Sequence, residues 1–243
     1  MTRAAAFTSV KKAIQVLKSL QGPPDGLTMT EIHEKTGLQK SDVSRLLNLL
    51  SDEGVVFRDE RSRRFTLSLE VYQAGVHAFH GNSALAYAQK YLDRLQQKLP
   101  LVLYMAALDG AEVVILEVRP GKHPVQIMVP VGARLPAYSS ASGKAMLSKL
   151  PVSEVEGLFA TTQLEPVTED TITSIPALLK DLETVRARGF ATSVGENLPG
   201  VVGVSVTLPI LIQGKPTAIA AALPLADAGE EAINQIGQTL LSM

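Results

Sequence analysis

The chain has 243 residues, of which 46% are hydrophobic and 19% charged; this suits two ordinary domains with packed cores and excludes global disorder. Cysteine is absent, which excludes disulfides, thiolate nucleophiles and cysteine-held metals together. The net charge of −1 excludes a uniformly positive surface, and residues 1–80 hold only 11 Lys+Arg against 9 Asp+Glu, so any contact with nucleic acid has to rest on a local cluster.

No apolar run reaches the ~18 residues of a membrane span. Thr8, Ser9, Lys11 and Lys12 stand where a signal peptide needs its apolar core. A cytoplasmic protein without membrane contact is expected. The first helix is predicted from Ser9 to Leu20, with Val10, Ile14 and Leu17, and Val16 and Leu20 as further candidates, on one face, and the Gly22-Pro23-Pro24 segment stops it. Thr28 and Glu31 have the spacing of a capping box for a second helix ending at Gly37. Ser41 is expected to cap a third, where Val43, Leu46, Leu47 and Leu50 form a buried stripe. Val55–Phe57 and Phe65–Leu67 flank a polar tip and predict a hairpin. Helices follow over Leu69–Phe79 and Ser83–Lys98, with a break at Gly81-Asn82.

Beyond Pro100 the pattern changes. Leu101–Leu108 and Val113–Val118 predict strands joined at Asp109-Gly110. Further strands are expected at Val125–Val131, Val201–Leu208 and Thr217–Leu223. Helices are expected at Lys144–Leu150, at Ser174–Arg188 closed by Gly189, and from Gly229 to the end. The fold class is α+β, with an antiparallel sheet and flanking helices behind an N-terminal helical unit.

The outward face of the third helix carries Ser41, Asp42, Ser44, Arg45 and Asn48, side chains able to reach base edges or phosphates in a major groove. Arg58, Arg61, Arg63 and Arg64 crowd the hairpin, where guanidinium groups can follow a phosphate ridge or enter a minor groove. A solvated arginine-rich turn explains the hairpin alone, but not both elements in this order. Asp42 repels phosphate; it either improves the helix N-terminus, the favoured role, or accepts from a cytosine amino group.

Thr30-Glu31-Ile32, Thr36-Gly37-Leu38-Gln39-Lys40-Ser41 and Arg45-Leu46-Leu47 resemble the reader helices of the IclR family of bacterial transcriptional regulators. Gly132–Pro136, Ala141–Ala145, Val185–Ala191 and Glu196–Val201 resemble its central and C-terminal signatures, so the resemblance runs from Val10 to Leu240. It implies a winged helix-turn-helix over 7–68, a linker helix over 69–82 and a GAF-like effector-binding domain over 83–243. It also implies a homodimer or dimer of dimers on a palindromic double-stranded operator, a small-molecule effector that is a small carboxylate or aromatic acid, and no cofactor. Lys40 joins the DNA-contacting set by its place in the motif. Asp42 departs from a common threonine, and Ser193 stands where several members carry an acid.

By the same resemblance Ile127, Leu135, Ala141, Ser142, Ser193, Val201 and Gly203 are expected to line the effector site. Ser140 and Tyr138 are added as possible donors on chemistry alone. Ser142 is expected to cap the helix at Lys144, with a ligand role in addition. Enzyme motifs fail: a phosphate loop needs Gly at Tyr138 and Ser or Thr at Ala145, and the S-x-x-K spacing meets Ala141. His77 and His80 offer half a metal site without a third ligand, and Glu112, Glu117 and Glu196 show no partner in the sequence. The alternative reading is a metabolic enzyme or small-molecule sensor with an N-terminal protein-interaction domain.

Overall fold

The computed structural model describes residues 3–79, 81, 83–122 and 126–242, without the side chains of residues 3–7 and Phe79. His80, Asn82, His123 and Val125 lie outside the described residues. Two compact units divide at Gly81.

In the N-terminal unit α1 (Arg3–Ser19), α2 (Met29–Thr36) and α3 (Lys40–Asp52) precede a hairpin of β1 (Val56–Arg58) and β2 (Phe65–Leu67), and α4 (Leu69–Phe79) follows. The capping box at Thr28 and Glu31 forms, and Gly37 closes α2 in the left-handed region at φ 68°. Two expectations are corrected. Of the candidates on α1, Val10 and Ile14 are exposed, whereas Val16 and Leu20 are buried as expected, with Ala13 and Leu17 packed beside them. Both offsets satisfy helical periodicity, and the positions of α2 and α3 select the second. Ser41 does not cap α3: the Gln39 carbonyl already accepts from Val43 N–H, so the helix begins at Lys40 and Ser41 is its second residue. The core joins Val16, Ile32, Val43, Leu46, Leu47, Val56 and Phe65, while Leu50 packs at its margin. The Asp59 carboxylate accepts from the Arg61 and Ser62 N–H groups and shapes the hairpin tip.

The C-terminal unit holds α5 (Ser83–Lys98), β3 (Val102–Asp109), β4 (Glu112–Arg119), β5 (Arg134–Pro136), α6 (Ala141–Leu147), α7 (Val152–Phe159), α8 (Ile175–Arg188), β6 (Ala191–Val194), β7 (Val201–Ile212), β8 (Lys215–Pro224) and α9 (Glu230–Leu241). The antiparallel sheet runs β5-β4-β3-β8-β7-β6. Helices α6, α7 and α8 cover one face through Met146, Leu147, Val155, Phe159, Leu178 and Leu182. Helices α5 and α9 pack on β3, β7 and β8 and on each other, and Tyr91 Oη donates to the Leu240 carbonyl between them.

The strand expected over 125–131 is absent among the described residues 126–131. Pro130 lacks a donor, and the Tyr104 hydroxyl takes the place of a ladder, donating to the Ile127 carbonyl and accepting from Val129 N–H. The edge strand is instead β5, paired with β4 at Leu135 and Val113. Helix α6 starts at Ala141, three residues before the expected Lys144, because Ser140, not Ser142, is its cap and accepts from Gly143 N–H at 3.2 Å. Gly143 is required there, since a Cβ would stand 2.2 Å from the Ala137 carbonyl oxygen. Helix α8 matches expectation at both ends, from the Ser174 cap to Gly189.

Candidate functional site

Each unit presents one candidate site. On α3, Lys40, Ser41, Arg45 and Asn48 are exposed, while Asp42 and Ser44 are half-buried. Asp42 faces α1: its carboxylate takes Lys12 Nζ at 2.5 Å and Arg45 at 3.4 Å, and the Lys12 hydrogen bond holds its pKa below the usual aspartate value. Two cations therefore flank this one carboxylate, and the local charge remains positive.

The four hairpin arginines separate into two pairs. Arg61 and Arg63 are exposed and form no ion pair among the described residues, with Arg63 in the left-handed region at φ 59°. Arg64 turns inward, donating to the Gly26 carbonyl at 2.8 Å and to Glu31 at 3.2 Å. Its charge adds to the Thr28 hydrogen bonds that chiefly lower the Glu31 pKa. Arg58 lies over the Phe65 ring, 5.7 Å from its centroid. A cleft gathers Thr28 and Thr30 before and within α2, Ser44 and Asn48 of α3, and Arg58 and Arg63 of the hairpin. Hydroxyl, amide and guanidinium groups thus converge in one concave surface, the set that phosphates and base edges accept from.

The second site is a cavity between the sheet and α6. Of the residues expected there, Ile127, Leu135, Ser140, Ala141, Ser142, Ser193, Val201 and Gly203 line it. Tyr138 does not: its ring packs edge-on to Phe159 at 5.9 Å and its hydroxyl donates to the Glu165 carbonyl. Residues not anticipated are Tyr104, Val113, Ile115, Val129, Asn197, Leu198 and Ala220–Ala222. Strand alternation offered a signal for Val113 and Ile115, and Asn197 and Leu198 stood inside a quoted motif; nothing local marked Ala220–Ala222.

Among the described residues no ionisable carboxylate, histidine, lysine or arginine lines this cavity. Ser193 Oγ donates to the Ser139 carbonyl at 2.6 Å, and Ser142 Oγ lies 3.5 Å from Ser205 Oγ. Gly203 leaves room for Ala141, whose Cβ would be 3.1 Å from an added one. The cavity's polar side chains are Ser140 and Ser142 at the start of α6, Ser193 on β6, Asn197 beyond it and Tyr104 on β3; the rest of the lining is apolar or glycine.

The remaining candidates have structural partners. Glu112 pairs with Arg134, and Glu117 with Arg119. Glu196 lies beside Lys144, and burial pushes its pKa up against the opposing lysine charge. His77 is exposed on α4. Among the described residues no three potential ligands cluster for a metal, and no helix is long and apolar enough to cross a membrane.

Residues 9–60 match the IclR helix-turn-helix domain, and residues 76–240 match the bacterial transcriptional regulator IclR C-terminal domain. The chain belongs to the IclR family. It is similar to the HTH-type transcriptional regulator Rv1719 of Mycobacterium tuberculosis, 32% identical over 209 residues that cover 85% of this chain and 79% of that one. The crystal structure of an IclR transcriptional regulator from Alicyclobacillus acidocaldarius matches with a TM-score of 0.83 at 26% identity, covering 97% of this chain and 95% of the other. An IclR homologue from Microbacterium hydrocarbonoxydans, complexed with 4-hydroxybenzoate, shares the fold with a TM-score of 0.74 at 23% identity over 97% of this chain and 100% of its own. The helix-turn-helix and the curled sheet with its helices are therefore those of an IclR-type transcriptional regulator.

Proposed function

We propose that this IclR-type regulator binds a palindromic operator in the cytoplasm and is controlled by a small effector in the cavity of its C-terminal unit. The observation that carries the DNA reading is the cleft in which Ser44 and Asn48 of α3 meet Arg58 and Arg63 of the hairpin. Lys40, Ser41, Ser44, Arg45 and Asn48 serve the major groove. Arg61 and Arg63 serve phosphate or the minor groove, whereas Arg58 and Arg64 act chiefly by holding the hairpin. Asp42 orients α1 and Arg45 rather than reading a base. The working division is a winged helix over 7–68, a linker over 69–82 and an effector domain over 83–243.

Leu69, Tyr72 and Val76 are exposed on α4, and Val10 and Ile14 on α1. A homodimer that covers these apolar side chains would place two readers on half-sites about one helical turn, or a multiple of it, apart.

The cavity supports a binding role over catalysis, because its lining among the described residues is mostly apolar, with serines, a tyrosine and one amide for orientation. Its volume is about 80 Å³ against the ~10–15 Å³ that one water needs. The space exceeds that of a single water, and a short carboxylate or an aromatic acid, the class bound by the Microbacterium homologue, is the effector we expect in it.

The DNA reading is tested by selecting duplexes from a random pool and following affinity against salt. The expected logarithmic slope is steep and becomes shallower by about one in Arg63→Ala, as loss of one phosphate contact requires. Equal affinity of the wild type and an Arg45→Ala/Arg63→Ala variant would remove the reading. Effectors are sought by thermal shift with small carboxylates and aromatic acids, since a ligand of the folded state raises the melting temperature. Ser142→Trp is expected to abolish such a shift.

A further inference from the structure

Lys144 is among the largest fully buried side chains of the described residues, at 1% exposure, and stands outside the lining of the cavity beside α6. Its Nζ lies 2.7 Å from Glu196 Oε1 and 3.0 Å from Asp181 Oδ2. The two charged partners stand on segments that shape the cavity. Lys144 is two residues after Ser142 on α6, and Glu196 immediately precedes Asn197 and Leu198, both in the cavity wall.

Residues 195–200 form a strap between β6 and β7. Gly195 and Gly200, at φ 71° and 74°, allow its two bends, and Gly195 N–H donates to the Val201 carbonyl to bring the ends together. The strap is fastened at its start: Thr168 Oγ1 donates to the Gly195 carbonyl at 2.9 Å and Thr171 Oγ1 to the Glu196 carbonyl at 2.6 Å. Its crown is less enclosed, with Leu198 43% exposed while still lining the cavity. A buried ion pair adds little net stability compared with apolar packing of the same volume, but it fixes the separation of the segments that carry it.

We propose that Lys144 and Glu196 are positioning residues of the effector cavity. Their ion pair, braced by Asp181, holds the 195–200 strap against α6, so that Asn197 and Leu198 close the wall and effector entry depends on that hold. This rests on the cavity being the effector site, but access to the cavity is measurable without any effector.

The absence of cysteine makes Ser142→Cys a single thiol in the cavity wall, and its labelling by methyl methanethiosulfonate in the full-length protein reports access. Lys144→Met alone strands the buried Glu196 carboxylate, so the test variant is Lys144→Met/Glu196→Gln on the Ser142→Cys background; Asp181 keeps part of its side chain exposed, 27%. A control, Leu92→Ala, removes a buried side chain of α5, on the other face of the sheet. The expected result is labelling about tenfold or more faster in the double variant, and within about twofold of the parent in the control despite its lower melting temperature, as local opening differs from global loss of stability. Labelling of the double variant at the parent rate overturns the proposal. So does an equal acceleration in Leu92→Ala, because the pair would then act through stability alone. Failure of every effector screen with accelerated labelling would remove the effector reading and leave the strap's control of the cavity standing.

Discussion

Lys12 in the N-terminal unit and Lys144 in the C-terminal unit both hold carboxylates on other elements, under opposite conditions. The Lys12 side chain is 31% exposed and its partner Asp42 23%, whereas Lys144 is 1% and Glu196 10% exposed. Water screens the first pair and replaces either partner readily, so such a pair contributes little to stability and is free to rearrange when phosphate approaches. The second has no such substitute: losing one member leaves a charge without water or counter-ion. The N-terminal unit thus keeps the Lys12–Asp42 pair near the surface, and the C-terminal unit buries Lys144–Glu196, as the proposed wall-holding role requires.

The largest expected break in this contrast is Lys144→Met alone. Stranding Glu196 and Asp181 should cost about 3–5 kcal/mol, the usual penalty for breaking a buried pair. Calorimetric melting should show this in the C-terminal transition and leave the N-terminal one in place. A loss below about 1 kcal/mol would mean that the triad behaves like a surface pair.

A smaller effect separates two neighbouring arginines. Arg64→Ala removes the donor to the Gly26 carbonyl and to Glu31, so the N-terminal unit should melt earlier. Arg63→Ala should leave melting unchanged and weaken DNA binding. Identical behaviour of the two variants in melting and binding assays would erase the division between holding and contacting arginines.

Smaller still is Asp42→Asn, which releases Lys12 and removes a negative charge from the reader helix. Melting should barely move and operator affinity should rise a little. An affinity loss of about tenfold or more, the size of a lost base contact, would restore Asp42 as a base reader.

The mildest test is acid. Hydrogen bonds from the Thr28, Lys12 and Ser62 donors chiefly hold Glu31, Asp42 and Asp59 respectively below the usual carboxylate range. As pH falls, the unfolded chain binds protons before the folded one. Their stabilisation is therefore present above the ordinary carboxylate pKa values and lost as pH drops through the lowered ones. Circular dichroism of the helical unit should show a shallow acid transition, and an increase in stability on acidification would contradict it.

Much of the architecture was legible along the chain. The Thr28–Glu31 box, the Ser174 and Gly189 ends of α8 and the Asp109-Gly110 hairpin all use groups within four residues of one another. The failures were instructive for the same reason. Ser41 and Ser142 carry good capping side chains, but Gln39 and Ser140 begin the helices because the backbone turns there. The expected strand at 125–131 looked apolar enough, yet Tyr104 from β3 takes up its polar groups. Helix α7 buries only Val155 and Phe159, too few to announce a face. Eight of the nine expected cavity residues line the cavity; Tyr138, added for its hydroxyl alone, is the one that does not.

The sequence by itself determined the Thr28 and Ser174 caps, the glycine helix ends, the order of the two units and the outward place of Lys40, Ser41, Arg45 and Asn48 on α3, because each depends on contacts between near neighbours in a chain of fixed geometry. Only the tertiary structure decided which arginines of the hairpin are spoken for, that Asp42 is held by Lys12 thirty positions away, and that Lys144 reaches Glu196 across fifty-two. Charges attract whichever opposite charge the fold brings within a few ångströms, and sequence spacing carries no record of that distance.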